Sequence, residues 1–393
     1  MADLGARLWS LRPPDPVLRR DPSRRGVVHT ARQEGRVLGR ARDRGRGDFP
    51  GLGARPRSGG RAALPRPEAP LRPVRRRLNE FDVIRRLSGR LPAPPAEVVV
   101  PIGDDCAVIR LGDGLWAAAA DMLVEGRHFE ASWASPRDVG YKAVAVNVSD
   151  VAAMGGTPRF VLASGGGPDP ETTLGCMEGL FEASEEFGVY PLGGDTTGSP
   201  ALTVDVAILG ELSYPPVLRS GARPGDLLAV TGELGASAAG LLALMGGDTG
   251  PRVRRLVRKH LRPEPRTLAG RTAARLGAGA MIDLSDGLAS DVRHVCEGSS
   301  VGCRVDLGLL PIADDTREYA SSLGRDPEVL AATGGEDYEL LISAPEGVMD
   351  GLAAEADVPV TVVGEVVDGG GVAFVRDGEH LDDLSGWDHF REA

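Results

Sequence analysis

An apolar helix interrupted by polar groups constrains this chain more than any other stretch of its sequence. Residues 141–154 are mostly Ala and Val, and the run stops at Gly155 and Gly156. A helix that is apolar on all sides is buried, and a glycine pair is a typical helix terminator. Asn147 and Asp150 lie three residues apart on one face of this helix. A buried carboxylate must be paired, hydrogen-bonded or bound to a metal, although a capping or solvent-facing Asp would also fit this segment alone.

Other acidic, glycine-containing segments follow apolar runs along the chain. They comprise residues 103–105, Asp121, and residues 193–197, 283–287 and 334–337. Carboxylate oxygens distributed over several loops suit a hard cation such as Mg²⁺, which binds through a few carboxylates, water and substrate phosphates. The pattern therefore indicates nucleotide chemistry.

Length and composition predict two folded domains. The 393 residues are 42% hydrophobic, and Pro215-Pro216 marks a natural boundary between domains at residues 78–216 and 217–393. No apolar run approaches the ~18 residues of a membrane helix, and no stretch resembles a signal peptide. The four cysteines lack the C-x-x-C spacing of zinc sites, which favours the reducing cytoplasm.

Residues 1–77 form a basic extension that is predicted to be disordered. They are rich in Arg, Gly and Pro, and residues 1–78 contain 20 Arg against 7 Asp and Glu, a net charge of +13. The remaining 315 residues carry a net charge of −24. An Arg-rich tail could bind nucleic acid or a membrane surface. The favoured interpretation is a segment without a role in the chemistry, so neither is among the expected partners.

Both halves mix helices and strands, which predicts an α/β protein. In the first half, helices are expected near Asn79 and at residues 171–187, and strands at residues 98–100, 106–111, 115–120, 160–164 and 201–211. In the second half, helices are expected near residues 235–245, 252–260, 265–275 and 287–297, and strands at residues 227–231, 301–306, 338–343, 360–366 and 372–376. The order is too irregular for a Rossmann or TIM-barrel pattern. Neither Lys142 nor Lys259 follows the glycines of a P-loop, which excludes that class of enzyme.

Two of the acidic segments are suited to bind phosphate. Residues 193–197 are expected to form a glycine-rich turn, in which backbone N–H groups approach a phosphate and Asp195 holds a neutralising cation. Residues 283–287 are expected between a strand end and a helix N-terminus, a position that favours anions. Each segment alone would also fit a simple turn or a helix cap.

Taken in order, these segments resemble the thiamine-monophosphate kinase family, of the superfamily that includes aminoimidazole ribonucleotide synthetase, selenophosphate synthetase and the hydrogenase maturation dehydratase. The resemblance extends from about Glu80 to Phe390. Its most specific motifs are residues 102–107, 121–129, 147–155, 193–197, 219–221, 282–287, 334–340 and 386–390.

The resemblance implies ATP-dependent phosphoryl transfer to thiamine monophosphate, giving thiamine diphosphate, with several Mg²⁺ ions. It also implies a two-domain aminoimidazole ribonucleotide synthetase-like α/β fold. Two subunits of a homodimer would share a β-barrel built from N-terminal strands, and each C-terminal half would form an α/β sandwich. The nucleophile would be a substrate phosphate oxygen, already anionic at neutral pH. Positioning and electrostatics would then suffice without a catalytic base.

The same resemblance implies roles for individual residues. The implied Mg²⁺ ligands are Asp105, Ala120, Asp121, Asp150, Asp195, Asp283 and Asp286, of which Asp150, Asp195 and Asp283 are the implied catalytic residues. The implied contacts of ATP are Gly194, Asp195, Arg219 and Ser285, and those of thiamine monophosphate are His128, Glu336 and Trp387. The family usually has Ser or Thr just before the Asp121 position, where this chain has Ala119 and Ala120. Any metal contact there must use backbone carbonyls or water.

Three other functions stay open at this point. One is another ATP-using enzyme of the superfamily, which assays of thiamine monophosphate against formylglycinamidine ribonucleotide would distinguish. A second is a catalytically inactive binding protein for nucleotide or thiamine phosphate, against which the six aspartates argue. A third is a nucleic-acid binder, for which binding should be salt-sensitive and lost without residues 1–77.

Overall fold

The computed structural model of the protein describes residues 86–87, 89–381 and 384–386. These residues form two β-sheets, each with its own helices and core. The extension at residues 1–77, the helix expected near Asn79 and the side chain of Trp387 lie outside the described residues. Within the described ranges, no helix combines the length and apolar character needed to cross a membrane.

The first sheet has six strands in the order β1-β2-β3-β6-β4-β5. These strands are β1 Val98–Val100, β2 Ala107–Leu111, β3 Gly114–Val124, β4 Thr157–Gly167, β5 Tyr190–Gly198 and β6 Thr203–Leu212. Neighbours pair antiparallel except β4 and β5, which are parallel. Alternation along β6 buries Val204, Val206 and Ile208 and leaves the residues between them half exposed. The sheet therefore has one buried face and one face that the chain itself leaves open.

Two helices pack on the buried face of the first sheet, α1 Pro136–Ala153 and α2 Pro170–Glu186. Ser135 caps α1, because its hydroxyl oxygen accepts a hydrogen bond from a first-turn N–H at 3.2 Å. Just beyond the helix, Gly155 has φ +73°, and a Cβ there would lie 2.4 Å from the Ala274 Cβ. Nearly all of α1 is buried, which confirms the predicted core helix ended by glycines.

The second sheet has seven strands in the order β13-β12-β9-β11-β7-β10-β8. These strands are β7 Leu227–Thr231, β8 Ala280–Asp283, β9 Gly302–Asp306, β10 Leu340–Ala344, β11 Val360–Val367, β12 Gly371–Arg376 and β13 Glu379–Leu381. The helices of this half are α3 Ala236–Met245, α4 Arg254–Leu261, α5 Thr267–Leu276, α6 Leu288–Ser299, α7 Asp314–Ser322, α8 Pro327–Thr333 and α9 Glu346–Glu355. Short 3-10 helices span Pro251–Val253 and Leu307–Leu309.

Both faces of the second sheet are buried. Leu228 and Val230 of β7 belong to a core with α6, whereas Ala229 between them belongs to a core with α5 and α9 on the opposite face. Side chains alternate along a strand, so one apolar run serves both cores. The two sheets and their cores confirm the predicted two-domain α/β fold.

The C-terminal end of α1 also contributes to the second half. Ala153 belongs to the same core as Ala269 and Ala273 of α5. A Cβ on Gly270 would lie 2.1 Å from the carbonyl oxygen of Ala152, so only glycine permits this approach of α5 to α1. Helix α1 is therefore shared by the two halves.

Two local predictions from the sequence are wrong. Strand β3 continues to Val124, so Asp121 lies inside a strand and not at its end. The continuous pairing of β3 with β6 explains this extension. Residues 193–197 belong to strand β5 and not to a turn, because β5 pairs in parallel with β4 and Asp195 lies opposite Ser164. Pairing with β4 overrides the turn preference of the glycines.

Candidate active site

Three aspartates predicted as metal ligands converge at one point. Asp105 precedes β2, Asp150 lies in α1 and Asp283 ends β8, so both halves of the chain contribute. One carboxylate oxygen of each residue lies within 4.8 Å of those of the other two. The side chain of Asp105 is fully buried, and Asp283 is 3% exposed. The aspartate group, as we call these three residues, therefore concentrates negative charge away from solvent.

Burial raises the pKa of Asp283 to about 8 and that of Asp105 to about 6. Burial also raises the pKa of Asp150 well above its usual value, and the charges of Asp121 and Asp283 raise it further. Desolvation and neighbouring like charges both disfavour the ionised carboxylate. A bound cation would offset both effects, and a donor set made only of oxygen suits Mg²⁺. The aspartate group therefore fits the metal that the sequence predicts.

Arg219 brings a positive charge to the aspartate group. Its Nε and Nη2 atoms donate to Asp105 Oδ1 at 3.1 and 2.5 Å. Its backbone N–H donates to Asp104 Oδ2 at 3.1 Å. Burial raises the pKa of Asp105, and the Arg219 guanidinium opposes that rise. The guanidinium thus lies beside the candidate metal site, and the contact with ATP stays a prediction.

Polar side chains of α1 connect the helix to both sheets. Ser149 Oγ donates to Asp283 Oδ2 at 2.7 Å. Asn147 Oδ1 accepts a hydrogen bond from the backbone N–H of Asp121 at 3.2 Å, and its Nδ2 donates to the carbonyl oxygen of Ala143 at 2.8 Å. Both side chains are fully buried, so the bonds satisfy polar atoms that would otherwise be costly. They also fix the position of α1 against β3 and β8.

The other aspartates predicted as metal ligands lie outside the aspartate group. Asp121 is exposed on β3, but it is near enough for its charge to raise the pKa of Asp150 beyond the effect of burial. Asp195 is exposed on the edge strand β5, where its Oδ1 accepts from the Thr196 N–H at 2.9 Å. Asp286 is half-buried between β8 and α6. Metal binding by these three residues stays a prediction.

The two alanines before Asp121 lie on opposite faces of β3. Ala119 packs against the first core, whereas Ala120 is exposed. Because side chains alternate along a strand, Ala119 shares its face with Asp121 and Ala120 does not. The Ala120 methyl group therefore lies on the open face, and its predicted metal contact would have to use the backbone.

A second polar cluster surrounds Glu336, which is predicted to contact thiamine monophosphate. Its Oε1 lies 2.9 Å from Lys142 Nζ in α1, and its Oε2 lies 3.3 Å from His260 Nδ1 in α4. Burial raises the pKa of Glu336, but Lys142, His260 and His128 together outweigh burial and lower it. His128, also a predicted substrate contact, accepts a hydrogen bond at Nδ1 from the Val124 N–H at 2.9 Å. The structure therefore brings these two predicted substrate residues near each other.

The backbone around Glu336 adopts an uncommon conformation. Glu336 has φ +65° and Tyr338 has φ +52°, values that cost roughly 1–3 kcal/mol for residues other than glycine. The Glu336 N–H donates to the carbonyl oxygen of Ser285 at 2.7 Å. Asp337 accepts hydrogen bonds from the backbone N–H groups of Gly235 and Ser237 at the start of α3. These bonds hold the strained segment in place beside the loop that follows Asp283.

Gly194 and Ser285 are the remaining predicted contacts of ATP. A Cβ on Gly194 would lie 1.5 Å from the carbonyl oxygen of Ala163 in β4, so no larger residue fits there without moving a strand. Ser285 is half-buried between β8 and α6. Their binding of ATP stays a prediction.

Sequence reasoning missed Lys142, Ser149 and His260 as parts of these clusters. Lys142 is one of only two lysines in the chain and interrupts an apolar helix. That position is a usable signal, since lysine is almost never fully buried without a partner. Ser149 lies between Asn147 and Asp150 in the same helix. No local pattern marks His260, because its partner is 76 residues away in the sequence.

Two family models match the chain. Residues 103–212 match the N-terminal domain of AIR synthase related proteins, and residues 223–377 match the C-terminal domain. Together with the two sheets and the aspartate group, these matches define the class of the protein as AIR synthase related.

Individual proteins that are similar to this chain identify a family within this class. The thiamine-monophosphate kinase of Escherichia coli (strain K12) is 39% identical over 326 residues, which are 79% of this chain and 98% of that protein. The thiamine-monophosphate kinase of Mycobacterium tuberculosis (strain ATCC 25618 / H37Rv) is 38% identical over 328 residues, 81% of this chain and 94% of that protein. The solved structure "AaThiL complexed with AMPPCP and TMP" has a TM-score of 0.72 and 33% identity, and covers 80% of this chain and 99% of that chain. The chain belongs to the thiamine-monophosphate kinase family.

Proposed function

We propose that this protein transfers the γ-phosphoryl group of ATP to thiamine monophosphate, forming thiamine diphosphate and ADP. The observation that carries the proposal is the convergence of Asp105, Asp150 and Asp283 in a chain of this family. A related solved structure contains AMPPCP, an analogue of ATP, together with TMP, which supports both substrates. The same proposal makes ATP the co-substrate and thiamine diphosphate synthesis the biological role.

The aspartate group would hold Mg²⁺. Further predicted ligands are Asp121, Asp195, Asp286 and the backbone of Ala120. Bound Mg²⁺ supplies positive charge that neutralises the phosphates of both substrates. Residues 79–393 carry a net charge of −24 and would otherwise repel two polyanions.

The chain contributes binding and orientation to the transfer. A phosphate oxygen of thiamine monophosphate is already anionic at neutral pH, so no side chain has to remove a proton. This oxygen bonds to the γ-phosphorus of ATP as the bond from that phosphorus to ADP breaks, and the two bonds lie in line. Alignment and electrostatic stabilisation supply the rate enhancement. The proposed ATP contacts are Gly194, Asp195, Arg219 and Ser285, and the proposed contacts of thiamine monophosphate are His128, Glu336 and Trp387.

The direct test measures ADP release and thiamine diphosphate formation by the full chain with ATP, Mg²⁺ and thiamine monophosphate. Both products should form in equal amounts, and both should disappear when thiamine monophosphate or Mg²⁺ is omitted. Transfer to formylglycinamidine ribonucleotide instead would assign another substrate. A tight ligand complex without ADP formation would identify a binding protein, and either result would overturn the proposal.

The proposed assembly is a homodimer formed through the open face of the first sheet. Ala118, Leu209, Phe160 and Tyr190 lie side by side on four adjacent strands of that face. Tyr190 is 67% exposed. An apolar row of this kind on a soluble chain indicates a protein contact, and the resemblance implies a second copy as the partner. Light scattering should give twice the chain mass for the wild type and the monomer mass for Tyr190→Asp. A monomeric wild type at micromolar concentration would contradict this assembly.

The proposed location is the cytoplasm. All four cysteines are free and buried, which is typical of proteins in a reducing compartment. Cell fractionation with an antibody against the chain should recover it with other cytoplasmic enzymes, and recovery in a secreted fraction would contradict the proposal.

A further inference from the structure

The carboxylate of Glu336 is held by two helices from different parts of the chain. Lys142 of α1 reaches Oε1 at 2.9 Å, and His260 of α4 reaches Oε2 at 3.3 Å. Lys142 is 4% exposed and His260 is 1% exposed, whereas the Glu336 side chain remains 26% exposed. The two partners are therefore closed off from solvent while the carboxylate that they hold is partly open.

The chemistry of His260 suits a neutral hydrogen-bond donor. Burial and the charge of Lys142 together lower the pKa of His260 to about 3, against the opposing charge of Glu336, so the ring is uncharged at neutral pH. Its Nδ1 lies between Glu336 Oε2 and Ser237 Oγ, which is 3.1 Å away. Its Nε2 is buried and has no hydrogen-bond partner among the described residues. The single ring proton is best used on Nδ1, where a carboxylate accepts it.

Burial raises the pKa of Glu336, and Lys142 contributes the largest opposing charge. It is the one lysine of α1, and Glu336 gains a hydrogen bond as well as an ion pair from it. The Glu336 backbone is fixed independently, since its N–H donates to Ser285 and its φ is +65°. Strain of this kind, held by several independent contacts, is typical of functional sites. A bond made only for stability would not require a strained and partly exposed carboxylate.

We propose that Lys142 and His260 are positioning residues that hold the Glu336 carboxylate in one orientation for the positively charged organic part of thiamine monophosphate. This inference rests on the proposed function. Thiamine monophosphate carries a permanent positive charge on its thiazolium ring, and a fixed carboxylate is the complementary group. Lys142 and His260 act only through Glu336 and need not touch the substrate.

The test compares Lys142→Met with Lys259→Met, since the chain has only these two lysines. Lys259 pairs with Glu264 at 3.6 Å, whereas the ion pairs of Glu336 within the described ranges are with Lys142 and His260, so Lys259 controls for the loss of a lysine charge. We expect Lys142→Met to raise the KM for thiamine monophosphate roughly 10- to 100-fold, the scale of a lost hydrogen bond to a charged group. The KM for ATP should change little, and Lys259→Met should match the wild type.

Conservative variants distinguish positioning from a merely structural role. Lys142→Arg keeps a cation and should recover part of the affinity. His260→Asn keeps an N–H near the place of Nδ1 and should stay close to the wild type, whereas His260→Leu removes it and should raise the KM for thiamine monophosphate. A neutral analogue, in which a thiophene replaces the thiazolium, should bind the wild type more weakly than thiamine monophosphate. This discrimination should shrink in Lys142→Met.

Calorimetric binding of thiamine monophosphate, measured in Mg²⁺ without ATP, separates this inference from the proposed function. Lys142-dependent binding without product formation would keep the inference and overturn the proposed function. Product formation with equal affinity in wild type and Lys142→Met would overturn the inference and keep the function. If Lys142→Met does not fold, the wild type decides, because equal binding of the neutral analogue and thiamine monophosphate would refute a role for the fixed charge.

Discussion

Replacement of Asp150 by Asn distinguishes a metal-binding carboxylate from a structural one. Asn keeps the size of the side chain but removes its charge from the aspartate group, whose oxygens lie within 4.8 Å of one another. Two unit charges at that separation repel by about 3 kcal/mol at an effective dielectric constant of ~20. Burial and this repulsion both raise the pKa of Asp150. Without metal, we therefore expect the free energy of unfolding of Asp150→Asn to equal or exceed that of the wild type, by at most about 3 kcal/mol.

The pH dependence of this effect follows from the raised pKa values of Asp283 and Asp150. Burial, with the charge of Asp105, raises the pKa of Asp283 to about 8 from 3.8. The folded state therefore binds more protons than the unfolded state between these two values, and the metal-free wild type loses stability as the pH rises from about 4 to about 8. The pKa of Asp150 is also raised by burial, and Asp150→Asn removes this titrating carboxyl, so the loss of stability with rising pH should be smaller in the variant. Its advantage in melting temperature should be greatest near pH 8.

The catalytic activity of Asp150→Asn should fall, although its stability without metal does not. If Asp150 serves Mg²⁺, its replacement should lower kcat by at least ~10²-fold, the scale of a lost electrostatic contact in a transition state. The assays are melting in EDTA at pH 6 and pH 8, and thiamine diphosphate formation in Mg²⁺. Asp113→Asn, an exposed carboxylate in the turn between β2 and β3, is the matched control and should change neither quantity. An Asp150→Asn variant that melts several degrees early but still forms thiamine diphosphate would refute the reasoning.

Three further predictions concern other parts of the chain. A chain that begins at Leu78 should keep the melting temperature and activity of the full chain, because residues 1–77, outside the described residues, lack a core-forming pattern; a large loss in either would contradict this. Ala119→Ser should lower the Mg²⁺ concentration for half-maximal rate and Ala120→Thr should not, because only Ala119 lies on the helix-covered face; equal responses in Mg²⁺ titrations would argue against it. Gly194→Ala should destabilise the fold by about 1–3 kcal/mol in chemical denaturation, since its Cβ would lie 1.5 Å from a β4 carbonyl oxygen. Gly198→Ala meets no atom within 4 Å and should be neutral, so similar losses in both variants would count against the steric argument.

Elements with an uninterrupted apolar pattern and clear ends could be predicted from the sequence. The β7 strand Leu227–Thr231 agrees with its prediction at both ends, because a glycine-rich turn precedes it and Gly232 follows it. Strand β5 could not be predicted in full, since its Gly-Gly-Asp-Thr-Thr stretch has turn preference and becomes a strand only by pairing with β4. Non-local pairing decides such segments.

In the candidate site, too, some residues could be predicted from the local sequence and others only from contacts between distant segments. The carboxylates of the aspartate group stand out locally, as acids inside or just beyond apolar runs. Lys142 also stands out, as a lysine inside an apolar helix, but its pairing with Glu336 does not, because Lys142 and His260 precede Glu336 by 194 and 76 residues. Only the docking of α1 and α4 on the segment before β10 brings them together. The uncommon φ of Glu336 likewise has no signature in its residue type.

Gly270 permits the close approach of α5 to the end of α1. This contact affects the order in which parts of the chain can fold during synthesis. All strands of the first sheet are synthesised by Leu212, but α5 ends only at Leu276. At about 5–20 residues per second, the intervening chain takes roughly 3 to 13 seconds to emerge. During that interval the end of α1 lacks its α5 partner, and Asp150 lacks Asp283. We therefore expect chaperones to bind the nascent first half. The metal site cannot assemble at that stage, so phosphoryl transfer should begin only after most of the second half has been synthesised.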